Sequence, residues 1–366
     1  MNRPVITKSE IVAELCRGED NPRNSEGDFA RLGDGRILFA WCRYHGETAE
    51  DHDPCNIEGM CSSDNGLSFE RLPHTLVNAA DHGVQNVMSV CLHRLANGEL
   101  VIIYLCKKGP LSAVYLRRAQ DDETSFGEAE EIVPFEDGMY YVLNNSRVCP
   151  LPDGRLLIPV ACHKMLYDEN GNSRFNGFAY TEFYVLDKEG RNPVKISGKV
   201  EMPMPAHSGT GLQEPGAVCL PDGRIYGYFR TDMCFQYESF SEDGGRTWSN
   251  PVPSRFTSPA SPMLIRKNPY DDTYYAFYNP IPMYDGRYPE NSPWITAGRT
   301  PFAMRQSKNG IDFSPLTVIE DDPDRGFCYP AVFFLNENEF LLAYCCGGRD
   351  DGNCLTRLRI RKISVE

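Results

Sequence analysis

The sequence predicts an all-β protein, a six-bladed β-propeller of four-stranded antiparallel blades, on three observations. The first is a repeat. Five segments, "FARLGDGRILFAW" (29–41), "LHRLANGELVIIYL" (92–105), "VCPLPDGRLLIPVA" (148–161), "VCLPDGRIYGYF" (218–229) and "FFLNENEFLLAYC" (333–345), each run from a short apolar stretch through a polar turn to a second apolar stretch. That order is the form of a β-hairpin, closed by Gly or Asn because these residues reach positive φ at little cost. The second observation is spacing. The turn residues Gly35, Gly98, Gly154 and Gly223 lie 56 to 69 residues apart, and the longer gap to Asn338 holds one more copy, "SPMLIRKNPYDDTYYAFYNP" (261–280), with an enlarged turn. The third is that these units of roughly 60 residues are strand-rich and lack helical periodicity, which is the pattern of radially repeated blades.

Composition agrees with one large folded unit. Of 366 residues, 41% are apolar and 24% charged, enough for a sizeable core, and no linker or composition shift divides the chain, so residues 1–366 are read as a single propeller domain. The net charge of −14 and the scattered basic residues exclude a nucleic-acid partner. No stretch has the length of a signal peptide or a membrane span, which predicts a cytoplasmic protein with no membrane partner. The fourteen cysteines fall mostly in apolar runs such as "SVCLHRL" and "PVACHK", with no CxxC pair, and read as reduced, buried thiols. No metal and no cofactor are expected. The acids of "RYHGETAEDHD" lack an ordered ligand spacing and suit a solvated loop.

A second motif follows the second strand of several units: "SEDGGRTW" (241–248), with weaker copies "SSDNGLSF" (62–69), "AQDDETSF" (119–126) and "QSKNGIDF" (306–313). A pattern recurring once per unit builds the unit. Asp or Asn bonds nearby amides, Gly takes positive φ, and the aromatic packs the turn against the sheet. This turn resembles the Asp-box, Ser-x-Asp-x-Gly-x-Thr-Trp, of sialidases and related BNR-repeat propellers.

In a propeller the innermost strands converge on one central pocket. Counting nine residues back from each turn residue gives Glu26, Ser89, Asn145, Glu214 and Tyr329, with Ser261 as the fifth-unit member. All six are polar, which an ordinary strand entrance would not require. Here the resemblance to sialidases extends to the site. "QEPGAVCLPDGRIYGYFRTD" is similar to their fourth blade, with Glu214 in the place of a carboxylate and Arg230 in that of an arginine. "CYPAVFFLNENEFLLAY" is similar to their last blade, with Tyr329 in the place of the nucleophilic tyrosine, and Arg299 precedes the fifth Asp-box as a further family arginine does. The resemblance implies a retaining glycoside hydrolase of sialidase type acting on a small anionic carbohydrate. A sialoside bears its carboxylate on the anomeric carbon, which repels an anionic nucleophile, whereas a phenol meets that carbon neutral and gives its proton to a neighbouring carboxylate. Glu214 would be that base, and arginines would clamp the substrate carboxylate. By the same resemblance the acid for the leaving oxygen lies in the loop "RYHGETAEDHDPCN", as Asp53 or Asp51.

The chain departs from the family at one interaction. The first arginine of the clamp falls on Ser25, with Arg23 two residues away, and the glutamate that supports it falls near Cys345. The clamp is thereby reduced to Arg230 and Arg299, supplemented by Arg23 or Arg147; Glu26, Asn145 and Arg147 are further candidate substrate-binding residues. His163 and His207 are isolated histidines, expected to be structural. Two alternatives stay open: a lyase directed at uronates on a similar propeller, and a non-catalytic carbohydrate-binding propeller.

Overall fold

The computed structural model describes residues 2–203, 207–281 and 293–366. These residues form an all-β propeller of mostly four-stranded antiparallel sheets. One sheet closes the ring with both ends of the chain. Its strands run Cys328–Phe334, Glu339–Cys345, Leu358–Val365 and, outermost, Ile6–Leu15, paired antiparallel with the C-terminal strand from Ile6 opposite Val365 to Leu15 opposite Leu358. Two more sheets are four-stranded: Gln213–Cys219, Ile225–Arg230, Phe235–Ser241 and Val252–Thr257; and Leu264–Lys267, Tyr274–Tyr278, Phe302–Ser307 and Thr317–Glu320.

The expectation of separate four-stranded units meets two departures. One sheet has five strands, because Met139–Val142 and Cys149–Pro150 both pair with Leu156–Lys164, ahead of Ala179–Leu186 and Val194–Lys195. Another is eight-stranded. In it Asn24–Arg31, Ile37–Tyr44 and Cys55–Ser62, the last also paired with the short Glu70–Arg71, continue into Asn86–Arg94, Leu100–Lys108, Leu111–Ala119 and Phe126–Val133. The junction is a single parallel pairing, Cys55 opposite Asn86.

Apolar side chains bind neighbouring sheets face to face. Leu38, Ala40 and Ile57 pack with Ile102 and Tyr104, while Phe277 and Phe302 pack with Phe340 and Tyr344. Each fully buried Leu, Ile or Phe among them contributes about 1.5–3 kcal/mol. All fourteen cysteines are free and eleven are buried, in keeping with thiols used as small hydrophobes. Cys345 and Cys346 enter different clusters, as opposite faces of one strand require.

The hairpin turns form as the sequence implies: Gly35, Gly98, Gly154 and Gly223 have φ between 87° and 91°. A Cβ on Gly35 or Gly223 would meet nothing within 4 Å, so conformation and not space selects glycine there. The opening motif of each outer turn is also structural. Asp243 accepts from the amides of Arg246 and Thr247 at 3.0 and 2.9 Å and from the Thr247 hydroxyl at 2.6 Å, and Trp248 stacks on Phe183 at 4.1 Å. Asp64 repeats this with Leu67 and Ser68, and Asn309 with Ile311 and Asp312. Against some desolvation, hydrogen bonds from Thr247 and Ser241 hold Asp243 at about 2; those from Ser125 and Thr124 hold Asp122 at about 2. Both acids thus titrate lower in the folded chain than the unfolded value of about 3.9. Their stabilisation is present above that value and is lost as pH falls towards 2. Asp243→Ala is expected to cost about 1 kcal/mol at neutral pH, read as a lower denaturation midpoint, with the difference from wild type shrinking in acid.

Candidate active site

The inner strands carry a device that the sequence does not announce. Glu26, Ser89, Glu214 and Tyr329 have φ of 50°, 58°, 44° and 54°. At each of them the pairing to the next strand slips, between Ser25 and Gly27, Met88 and Cys91, Gln213 and Gly216, and Cys328 and Ala331. A bulge with a left-handed residue breaks strand alternation and re-aims one side chain. Left-handed backbone is costly for residues other than glycine and gathers at sites where a side chain must be held in one direction. Behind two of the bulges, a Cβ on Gly27 or Gly216 would lie 2.2 Å from the ring of Phe39 or Tyr228, so these glycines let the second strand approach.

The four bulged residues line one cavity of about 440 Å³, the size of a small-ligand site. Its centre is a hydrogen-bonded triad: the Tyr329 hydroxyl donates to Glu214 Oε1 at 2.8 Å, and Arg230 Nη1 donates to the same oxygen at 2.7 Å. Glu214 Oε2 has no hydrogen-bond partner among the described residues. The phenol is only 9% exposed, and burial with the Glu214 carboxylate pushes it well above its ordinary range, with Arg299 and Arg230 opposing. Tyr329 therefore rests protonated beside its acceptor. The Arg299 guanidinium lies 5.5 Å over the Tyr329 ring. Its Nη1 donates to the sulfurs of Cys328 and Cys354 at 3.1 and 3.9 Å, and its Nη2 to the Ala260 carbonyl at 3.4 Å. No carboxylate binds it in an ion pair among the described residues. Cys345, at the place of the family's supporting glutamate, stands opposite Cys328 in the same thiol cluster.

The remaining expected residues fall into two groups. Asp51 lines the cavity, and Arg23 Nη1 donates to its Oδ1 at 2.6 Å. Against the desolvation of the cavity mouth, Arg23 and Lys107 hold the Asp51 carboxyl well below the usual carboxylate range. Arg23 is committed: it also donates to Ser25 Oγ at 3.0 Å and Glu26 Oε1 at 3.4 Å and stacks over Tyr44, so it does not face the cavity as a free clamp. Asp53 accepts from the Thr48 hydroxyl and the Glu50 amide inside its own loop and does not line the cavity. Asn145 and Arg147 are corrections. In the third unit the left-handed residue is Ser146, φ 55°, one position later than the count places it, so Asn144 faces the cavity instead. Asn145 Nδ2 ties the Gly27 and Tyr329 carbonyls together at 2.9 and 3.2 Å, and Arg147 is buried 5.9 Å over the Tyr228 ring. Ser261 is likewise buried, donating to Asn279 at 2.6 Å. His163 lines the cavity, donates from Nδ1 to the Asn176 carbonyl at 2.9 Å, and is lowered by burial to about 4, so it stays neutral near pH 7; His207 is exposed.

Lys107 is a site residue that the sequence reading missed. It is buried, stands one residue before the end of the strand Leu100–Lys108, and donates to the Asp51 carbonyl at 2.6 Å. Position at a strand end was the available signal. Lys107, His52, Tyr140 and Phe175 also wall an adjoining cavity of about 360 Å³. Among the described residues no cluster of three or more His, Cys, Asp or Glu could hold a metal, and no helix is long and apolar enough to cross a membrane.

This fold and repeat have relatives. The chain belongs to the family described as the BNR repeat-like domain, whose model matches residues 35–341. Among solved structures it is similar to a Dyadobacter fermentans protein of unknown function, at 17% identity and TM-score 0.70, over 98% of this chain and 100% of that one. It is similar also to the intramolecular trans-sialidase from Ruminococcus gnavus, solved with oseltamivir carboxylate, at 13% identity and TM-score 0.67, over 97% of each chain. A third is the α-L-arabinanase of Penicillium chrysogenum, solved with arabinobiose, at 13% identity and TM-score 0.64, over 99% of each chain. At these identities the likeness is one of fold, the fold shared by sialidases and other glycosidases. No curated protein sequence matches the chain.

Proposed function

We propose that this chain is a retaining glycoside hydrolase acting on a small anionic sugar, with Tyr329 as nucleophile and Glu214 as the base that takes its proton. The observation that carries the reading is the 2.8 Å hydrogen bond between the Tyr329 hydroxyl and Glu214, inside a cavity flanked by Arg230 and Arg299. A phenol with an ordinary pKa of about 10 is a weak nucleophile unless a carboxylate receives its proton as the bond forms. Arg230 holds Glu214 in place through the 2.7 Å contact to its Oε1. Arg299, whose guanidinium pairs with no carboxylate among the described residues, is the natural seat for a substrate anion. The proton for the leaving oxygen must come from an acid at the cavity, where Glu26, Glu50 and Asp51 stand. Supporting the likeness to sialidases, the eight-stranded sheet reads as two four-stranded blades held by one pairing, giving six blades with six large apolar clusters between successive blades.

The test is a panel of aryl glycosides: α-sialosides, uronides and neutral α-L-arabinofuranosides. Aryl release from an anionic member and not from the neutral ones is expected. Formation of an unsaturated uronate product would replace the reading with a lyase. Saturable binding of the panel without turnover would replace it with a binding propeller.

A further inference from the structure

We propose that Glu26, and not an aspartate of the loop at residues 45–54, gives the proton to the leaving glycosidic oxygen. The inference rests on the hydrolase reading and names a further catalytic residue within it. Geometry comes first. Glu26 stands on a left-handed bulge of its own strand, as Glu214 and Tyr329 do on theirs, and lines the same cavity while only 2% exposed. Its strand runs beside that of the nucleophile: one amide nitrogen, Asn145 Nδ2, reaches both the carbonyl of Gly27, the residue after Glu26, and that of Tyr329, and the Glu26 carboxyl bears electrostatically on the Tyr329 phenol.

Charge supplies the second argument. Arg23 lies between two carboxylates and does not share itself equally: it is 2.6 Å from Asp51 and 3.4 Å from Glu26. Lys107 adds its charge on the Asp51 side. Asp51 is therefore held as an anion, the wrong form for a proton donor near neutral pH. Asp53 is tied to Thr48 and the Glu50 amide and does not line this cavity. Burial pushes Glu26 above its ordinary range, Asp51 adds to this, and Arg23, Ser89 and Lys107 oppose it. The other groups bearing on Glu26 are Cys42 and Tyr44 on the next strand, Tyr140, and Tyr329. All four are neutral in their ordinary forms. Its one short contact is Ser89 Oγ, at 2.6 Å from Oε2, and a hydroxyl serves a carboxyl group in either state. Two carboxylates driven apart by their surroundings define an acid and an anion.

The step balances as follows. The Glu26 proton passes to the glycosidic oxygen as the bond from that oxygen to the anomeric carbon breaks, and the Tyr329 oxygen bonds to that carbon while its own proton goes to Glu214. The Glu26 carboxylate then takes a proton from the water that attacks the glycosyl-tyrosine, and Glu214 returns its proton to the Tyr329 oxygen as it leaves.

Two readouts decide the matter. The first compares wild type, Glu26→Gln and Asp51→Asn on two glycosides of the same sugar, one with an activated aryl leaving group and one with an alkyl group. Glu26→Gln is expected to lose about 10²–10⁴-fold on the alkyl glycoside, to keep the first step on the aryl one, and to lose the alkaline limb of kcat/KM. If Asp51→Asn behaves that way and Glu26→Gln slows both substrates alike, the proposal is overturned. The second needs no turnover: a carboxylic-acid C=O band in the wild-type infrared spectrum from mildly acidic to neutral pH, missing in Glu26→Gln and moved in Glu26→Asp should the Gln variant not fold. Absence of a Glu26 band across that range means an ionised Glu26 and overturns the proposal. A wild type inactive on every glycoside would instead sink the hydrolase reading, with the band still deciding the state of Glu26.

Discussion

Tyr329→Phe is expected to lower kcat by at least about 10³-fold on any glycoside that the wild type cleaves, with little change in fold or in ground-state binding. The substitution removes one oxygen. That oxygen donates to Glu214 at 2.8 Å, and Arg230 remains on the same carboxylate at 2.7 Å, so the base keeps its position. The ring stays beneath Arg299. A purely structural Tyr329 would behave differently, losing stability while kcat stayed within a few-fold of wild type. The paired measurement is therefore kcat against the denaturation midpoint: a collapse of the first with the second nearly constant is the signature of a nucleophile.

Arg299→Met should separate affinity from stability in the opposite sense. The guanidinium is 6% exposed, and its partners are two thiol sulfurs and one carbonyl. Among the described residues no carboxylate touches this buried cation to offset its lost hydration, and an apolar side chain of similar reach removes that cost. The melting temperature is expected to hold or rise. KM for an anionic substrate is expected to rise about 10- to 100-fold, the loss of one or two charge-assisted hydrogen bonds. Binding of a neutral analogue of the same sugar should change far less. A site that trades stability for ligand affinity is the usual expectation for a preorganised charge. Equal losses for charged and neutral ligands would remove Arg299 from the anion clamp.

The parts of this molecule legible in the sequence are those whose physics is local. A Gly at φ near 90° and an Asp that caps amides three and four residues on are decided within one turn, so Gly35, Gly223 and Asp243 could be read directly. Counting back from those turns reached Glu26, Ser89, Glu214 and Tyr329 because the strands between are uninterrupted and bulge at the same place. The count failed at Asn145 since the third unit splits its inner edge into Met139–Val142 and Cys149–Pro150 and bulges one residue later, at Ser146. Nothing local marks that shift. Pairings across loops were equally hidden. Arg23 was considered for the substrate clamp, yet it folds back on Asp51 and Glu26, and only the three-dimensional path of the loop brings Asp51 there. Lys107 and the thiol cradle of Arg299 belong to the same class, contacts between neighbouring units that no local pattern marks.

The most direct test of the central claim is to trap the covalent intermediate. Incubation with a fluorinated glycosyl fluoride of whichever anionic sugar the panel identifies slows the second step and accumulates the glycosyl-enzyme. Digestion and mass analysis then locate the added sugar. The account predicts one equivalent attached to the peptide containing Tyr329, with no label in Tyr329→Phe. Label on Glu214, or on any other carboxylate of the cavity, would contradict it.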